Sequence, residues 1–333
     1  MFSIAEYLSQ KHEVDFFWDR KEDKDKAEEF FALNLDKVRF TNNIFARTGN
    51  LLEKYRITSQ YDIIFYVTDG SIFLSGARKN FLIIHSPAHF PKKDFVTRLK
   101  LRTWNPVCYG EFIGDLIRKK LHKKAKILPP GIDTDFFTAQ KKEKIILSVG
   151  RFFLYPHNKK QDILVKVFKN MVDEGLEDWK LVLAGGLSED SGKDYVTKLK
   201  KDAASYPIVF EINSSSAKLQ ELYGKAGIYW HGAGYGEDLY RFPEKAEHFG
   251  ITTVEAMSAG CAPVVFDGGG QKELVEDKIN GFLFDTENTL KEKSLFLINN
   301  PDKLKEFSLK ARSSSLNYSY PKFHEKIDNL IKN

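Results

Sequence analysis

The sequence predicts an α/β protein made of two Rossmann-like domains. Three observations predict it. Short apolar runs alternate with helical stretches along the chain, glycines cluster just after many of those runs, and a charged stretch divides the runs into two series. Apolar strands that alternate with helices belong in parallel sheets covered on both faces. The 333 residues suffice for two domains of ordinary size, each with its own core.

In chain order, MFSIAEYLSQ opens as a helix and HEVDFFW follows as a strand. A Rossmann unit begins with a strand and a glycine-rich turn ahead of its first helix. Neither is visible before MFSIAEYLSQ, so the first domain is expected to lack its first strand and to hold a vacant position in its sheet. The chain is accordingly expected to be truncated or its start misassigned. DIIFYVTDG (62–70) and FLIIHSPAH (81–89) read as buried strands ending in turns. EFIGDLIRKKL (111–121) has helical spacing, and KAKILPPGID ends in a Pro/Gly turn. The charged stretch AQKKEK (139–144) is the junction, which gives domains at 1–138 and 139–315. In the second series EKIILSVGR (143–151), WKLVLAGG (179–186), PIVFEI (207–212), AGIYWHG (226–232) and CAPVVFDGGG (261–270) are strand-to-loop units. FHEKIDNLIKN (323–333) reads as an amphipathic helix.

With 42% hydrophobic and 29% charged residues, the chain is not a disordered one. No apolar run reaches the roughly 18 residues of a membrane span. MFSIAEYLSQKHEV carries Glu6 and has no basic start followed by an apolar stretch, unlike a signal peptide. Cys108 and Cys261 lie far apart, no Cys/His cluster has metal-ligand spacing, and a reducing, cytoplasmic setting is expected. The net charge of +5 is uneven: residues 92–126 hold 11 basic and 3 acidic residues. That excess suits an anionic partner such as the inner face of a membrane or a phosphorylated acceptor, and equally a solvated basic face. Phe90, Phe95 and Trp104 within or beside it are residues suited to a membrane edge. No nucleic-acid partner is expected.

Parallel sheets bind ligands at the carboxyl ends of their strands, and there the glycines gather: Gly150, Gly185–Gly186, Gly232, Gly234 and Gly268–Gly270. Several at equivalent strand ends favour a phosphate-bearing ligand. The most informative run is EHFGITTVE, from Glu247 to Glu255. On one helix two carboxylates eight residues apart would be about 12 Å apart along the axis. That separation suits different parts of one long ligand better than the single bond of a glycoside hydrolase. A helix is expected from near Thr252 to Ala259, stopped by Gly260, with its N-terminal amides and dipole available to a diphosphate. Thr252-x-x-Glu255 also fits a capping box, in which Glu255 only satisfies a backbone N–H.

EHFGITTVEAMSAGCAPVVFDGGGQKELVEDKINGF resembles the family-four (glycosyl transferases group 1) retaining glycosyltransferases of the GT-B fold. Their signature is two glutamates separated by seven residues around an F-G core. VGRFF…NKKQD (149–162), LVLAGG (181–186), LPPGIDTDFF (128–137) and IIHSP (83–87) extend the resemblance over most of the chain. It implies two domains facing each other across a cleft, the first for the acceptor and the second for a nucleotide-sugar donor. The last segment, 316–333, would cross back onto the first domain.

The resemblance also implies roles. Glu247 contacts the donor sugar, and the backbone of Phe249, Gly250, Ile251, Thr252 and Thr253 holds sugar and phosphate. Glu255 binds the ribose hydroxyls, while Arg151 and Lys159 grip the diphosphate, Lys159 being preferred to Lys160. Fixed cations there stabilise the charge that leaving-group departure develops. Gly269 and Gly270 are expected to pass close to the donor. His85, preferred to His89, would orient the sugar or acceptor, or else be a packed strand-end histidine; His231 is either a ligand contact or structural. Asp133-Thr134-Asp135 resembles a D-x-D metal motif but sits in the turn toward the interdomain linker, so no metal and no cofactor are expected. The expected activity is hexose transfer to a glycan or lipid-linked acceptor, as in the mannosyltransferases that carry a related signature. The alternatives are a non-catalytic or truncated nucleotide-sugar-binding homologue and a GT-B sugar-nucleotide epimerase.

Overall fold

The apolar runs form strands, and what separates them is mostly helical. The computed structural model describes all residues except 21, 32, 46–49, 155–157, 188–189 and 333. The chain divides into two units. One holds Met1–Tyr109, Ile113–Gly131 and Phe323–Asn333; the other holds Gly110–Phe112 and Ile132–Lys322.

The first unit runs α1 (Phe2–Ser9), β1 (Val14–Phe17), α2 (Glu22–Phe31), β2 (Val38–Thr41), α3 (Leu51–Thr58), β3 (Ile63–Val67), β4 (Lys79–Ile83), α4 (Phe95–Leu101), β5 (Asn105–Cys108), α5 (Glu111–Leu121) and β6 (Lys126–Ile127). Its strands are parallel but form two sheets, β1-β2 and β3-β4-β5-β6. Among the described residues β1 and β3 each keep one edge unpaired. Every residue of both is only half-buried, whereas Asn80–Ile83 of the inner strand β4 are all buried.

Trp104 departs from expectation. Its indole is fully buried and donates to the Phe73 carbonyl at 2.9 Å, because a large apolar ring with one donor is best satisfied in a core that offers an acceptor. It presents nothing to a membrane. Phe90 is half-buried with the Lys120 ammonium 5.1 Å from its ring centre, and Phe95 is 76% exposed. The last helix of the chain, Tyr320–Lys332, belongs to this unit from Phe323 onward: His324 stacks on Tyr7 at 3.9 Å, and Lys79 Nζ donates to the carbonyls of Ile331 and Lys332.

The second unit runs β7 (Glu143–Val149), α6 (Gln161–Asp173), β8 (Lys180–Gly185), α7 (Asp190–Asp202), β9 (Ile208–Ile212), α8 (Ser216–Lys225), β10 (Ala226–His231), α9 (Ile251–Ser258), β11 (Ala262–Phe266), α10 (Gln271–Leu274), β12 (Phe282–Phe284), α11 (Glu287–Asn299) and α12 (Pro301–Ser315). All six strands are parallel, in the order β12-β11-β10-β7-β8-β9. β10 is buried at every position because it lies inside the sheet with both faces covered. Trp230 on it is accommodated by donating to Ser294 Oγ at 2.9 Å. Phe168, Leu183, Phe284 and Phe307 pack in the same core. From β7 the chain winds one way through β8 and β9, and then the other way through β10, β11 and β12. The order therefore reverses between β7 and β10, and at such a switch point the loops part to leave room for a ligand.

Candidate active site

The loops leaving β7 and β10 carry the charged groups. Gly150 and Arg151 follow β7, and Lys159 precedes α6. His231 is the last residue of β10, and the chain then runs through a loop to Glu247. Glu247 Oε2 receives Lys159 Nζ at 2.6 Å and lies 2.9 Å from His231 Nε2. Burial by itself would raise the Glu247 carboxyl. The Lys159 charge and the His231 contact outweigh burial and hold it well below the usual carboxylate range. His231 is 2% exposed, and burial lowers its basicity despite the carboxylate beside it.

Lys160 turns elsewhere. It adopts a left-handed conformation (φ 59°) at the start of α6, and its ammonium meets Glu237 at 2.6 Å. Lys245 meets the same carboxylate from the other side, also at 2.6 Å. Of the two adjacent lysines, then, Lys159 is the one beside Glu247. Arg151 is exposed, its guanidinium 4.6 Å from the Phe153 ring centre. Residues 155–157 of the loop joining Arg151 to Lys159 lie outside the described residues.

Glu247 is not helical; the helix begins four residues later, at Ile251. Gly250 makes the turn possible with φ 108°, a conformation that a side chain resists. No side chain caps α9, so the capping box does not form. The first-turn amides of Ile251 and Thr252 have no carbonyl partners in their own helix. Thr252 instead accepts from Tyr229 Oη at 2.8 Å. Thr253 is buried and bonds Gln271 Oε1 at 3.0 Å.

Glu255 lies one turn further along α9 and accepts from Tyr223 Oη at 2.7 Å. Burial pushes its carboxyl up to about 7, against the lowering effect of that hydrogen bond. Phe249 is buried, with its ring 5.4 Å from that of Tyr318.

Gly269 and Gly270 press on the segment that carries the first glutamate. Gly270 N donates to the Glu247 carbonyl at 2.7 Å, and a Cβ on Gly270 would lie 2.7 Å from both the His248 carbonyl oxygen and Phe249 Cα. A Cβ on Gly269 would collide with the Glu247 carbonyl. These glycines let two backbone stretches touch, and so set the position of Glu247.

In the first unit His85 stands just beyond β4, its ring 4.8 Å from that of His89. Burial and then the neighbouring His89 lower its basicity. The buried Nδ1 atoms of both histidines have no hydrogen-bond partner among the described residues. Tyr223, Tyr229 and Glu237 escaped the sequence reading. Each acts through a partner distant in sequence, and no local spacing marks such pairs.

A sequence profile described as "Glycosyl transferases group 1" matches residues 132–314. The chain is 27% identical over 251 residues, 70% of its length, to a GDP-Man:Man(3)GlcNAc(2)-PP-Dol alpha-1,2-mannosyltransferase of Dictyostelium discoideum, and covers 47% of that protein. It is 31% identical over 197 residues, 58% of its length, to an uncharacterized glycosyltransferase of Haemophilus influenzae, of which it covers 50%. The chain thus spans about half the length of these curated relatives. Among solved structures it resembles a glycosyltransferase from Rickettsia africae (TM-score 0.76, 16% identity, covering 99% of this chain and 92% of that one). It also resembles Anabaena HepE solved with UDP and glucose (TM-score 0.69, 15% identity, covering 100% and 94%). At these identities the likeness shows the fold, two Rossmann-like domains of the GT-B type. Because the profile matches more than half of the chain and ends beyond the second glutamate and the glycine loop, the chain belongs to the glycosyl transferases group 1 family.

Proposed function

We propose that the protein is a retaining hexosyltransferase that moves a sugar from a nucleoside-diphosphate donor to a glycan or lipid-linked acceptor without a metal ion. The observation that carries this reading is the pairing of Glu247 with Lys159 at the switch point, four residues before the uncapped start of α9. A carboxylate suits a sugar hydroxyl, while an ammonium and a helix start suit a diphosphate. In this scheme the bond from the anomeric carbon to the phosphate oxygen breaks, and its electron pair goes to the phosphate. Arg151, Lys159 and the amides of Ile251 and Thr252 stabilise that charge as it develops. The acceptor hydroxyl attacks from the same face and passes its proton to the departing phosphate. Glu255 holds the ribose, and His85 orients the sugar or the acceptor.

Mannose is the first sugar to test, since one relative is named for GDP-mannose; glucose is the second, since HepE was solved with UDP-glucose. The exposed apolar side chains of Phe95, Val96 and Leu99 on α4 stand among the exposed Lys92, Lys93, Arg98 and Arg102. That combination supports peripheral contact with an anionic membrane on the cytoplasmic side, where a lipid-linked acceptor would reside. The decisive experiment incubates the protein with GDP-mannose or UDP-glucose, with and without acceptor extracts, in EDTA and in magnesium. Nucleotide release that requires the acceptor and survives EDTA is expected. Release without any acceptor would indicate an epimerase, binding without release would indicate a non-catalytic homologue, and activity restored only by magnesium would overturn metal independence.

A further inference from the structure

Glu255 stands on α9 one turn beyond Ile251, and a side chain from another element reaches it. Tyr223, near the end of α8, donates its hydroxyl to Glu255 Oε2 at 2.7 Å. Tyr223 is fully buried, and its place is fixed from several sides. Its ring lies edge-on to that of Phe137 at 5.2 Å and tilted against that of Tyr229 at 6.3 Å, and its carbonyl accepts from Cys261 Sγ at 3.2 Å. Resting on the assignment of Glu255 to the donor ribose, we propose that Tyr223 is a positioning residue that fixes the carboxylate plane of Glu255 and so sets the preference for a ribonucleotide over a deoxyribonucleotide.

The last torsion of a glutamate side chain has broad minima, so a carboxylate left to itself presents its oxygens over a range of directions. Two neighbouring ribose hydroxyls are held best by a carboxylate whose plane does not turn. A fixed donor on Oε2 removes that freedom, and among the described residues Tyr223 supplies it. The phenol takes one of the two lone pairs of Oε2, which leaves the other and both of Oε1 to accept from hydroxyls. Burial, and next the Glu255 charge, raise the phenol well above its ordinary value of 10, so it stays neutral and keeps a hydrogen to donate. Tyr229, the neighbouring phenol, turns its own hydroxyl to Thr252 on the same helix. Burial raises the Glu255 carboxyl and the Tyr223 hydrogen bond lowers it, with no charged side chain among the causes. The tyrosine therefore favours the ionised form, the one that accepts, as well as its orientation.

The test compares the wild type with Tyr223→Phe, which keeps the packed ring and removes the hydroxyl; thermal melting confirms that both fold. Affinities are measured for GDP and UDP and for their dideoxy counterparts, which lack both ribose hydroxyls. The wild type is expected to prefer the ribo forms. Tyr223→Phe is expected to weaken binding of the ribo forms about threefold to tenfold, the worth of one hydrogen bond, and of the dideoxy forms hardly at all. Equal losses on both forms, which a merely structural role would produce, overturn the proposal, and so does no loss on either. In a Glu255→Ala background the same substitution should have no further effect, and an undiminished effect there overturns it too. A second readout needs no ligand and is made on the wild type. Carbon NMR follows the Tyr223 ring carbon that bears the hydroxyl while pH carries the Glu255 carboxyl through its titration. A signal that moves with the carboxyl is expected, and one indifferent to it overturns the proposal. A wild type that binds neither nucleotide, or binds ribo and dideoxy forms alike, refutes the donor-ribose reading of Glu255 and the ribose preference with it; the ring-carbon titration then still decides whether Tyr223 holds the carboxylate.

Discussion

Replacing Glu255 by Gln should change how stability depends on pH. Its carboxyl stands at about 7 in the folded protein against an ordinary value of 4.5, burial being the main cause. That difference amounts to about 3 kcal/mol of preference for the protonated form. The sign follows from linkage. Between 4.5 and 7 the folded state holds a proton that the unfolded state has released, so stability falls as pH rises. Below 4.5 both states are protonated and this contribution is fully present; above 7 it is lost. Gln keeps an acceptor for Tyr223 Oη but has nothing to titrate. Urea denaturation of both proteins at intervals from pH 4.5 to 8 isolates the group, because the buried histidines contribute equally to each. Wild type should lose about 3 kcal/mol relative to Glu255→Gln across that range, then run parallel to it. Curves parallel throughout would mean that water reaches the carboxylate, and the burial argument would be wrong.

Glu247→Ala should lower kcat by about tenfold to a hundredfold, the usual worth of a charged hydrogen-bonding partner, with a smaller effect on donor KM; steady-state kinetics with wild-type values would sink its assignment. Glu255→Ala should instead raise the donor KM, and an unchanged value in the same assay would count against ribose binding. Gly270→Ala should lower the melting temperature and activity together, since its Cβ has backbone on two sides at 2.7 Å; calorimetry showing an unaltered transition would refute that. The protein should sediment with anionic vesicles at low salt and less at high salt, each basic residue near the surface adding about 1 kcal/mol. Phe95→Ser with Leu99→Ser should weaken this binding, and equal sedimentation with neutral vesicles would defeat the membrane reading.

The sheets were legible because burial on both faces leaves a plain trace: Ile145–Val149 and Ala226–Trp230 are almost continuous apolar runs. The glutamate pair was legible as spacing, and its resemblance to a known signature supplied roles that spacing alone does not. What escaped was whatever a distant partner decides. Thr252-x-x-Glu255 has the form of a capping box, yet Tyr223, over thirty residues earlier, takes the carboxylate. Trp104 looked like a residue for a membrane edge until the Phe73 carbonyl gave its indole a buried acceptor. The glycines 269 and 270 pointed to a close approach, and the backbone of Glu247–Phe249 that they touch is set by no local spacing. His231 was ambiguous because its meaning depends on a carboxylate sixteen residues away.

The final helix has a consequence for how the chain matures. Residues from Phe323 onward belong with the first unit, tied there by the stacking of His324 on Tyr7 and by Lys79 on the carbonyls of Ile331 and Lys332. A ribosome delivers them only after the whole second unit has emerged. The second unit is contiguous apart from Gly110–Phe112 and can condense as it is made, whereas the first must wait, its apolar surfaces incompletely covered, until the residues from Phe323 onward emerge. The slowest contacts to form are therefore the long-range ones that join Tyr7 and Lys79 to His324, Ile331 and Lys332. Nonsense mutations near position 320 should damage the unit made first, leaving the one made just before them intact.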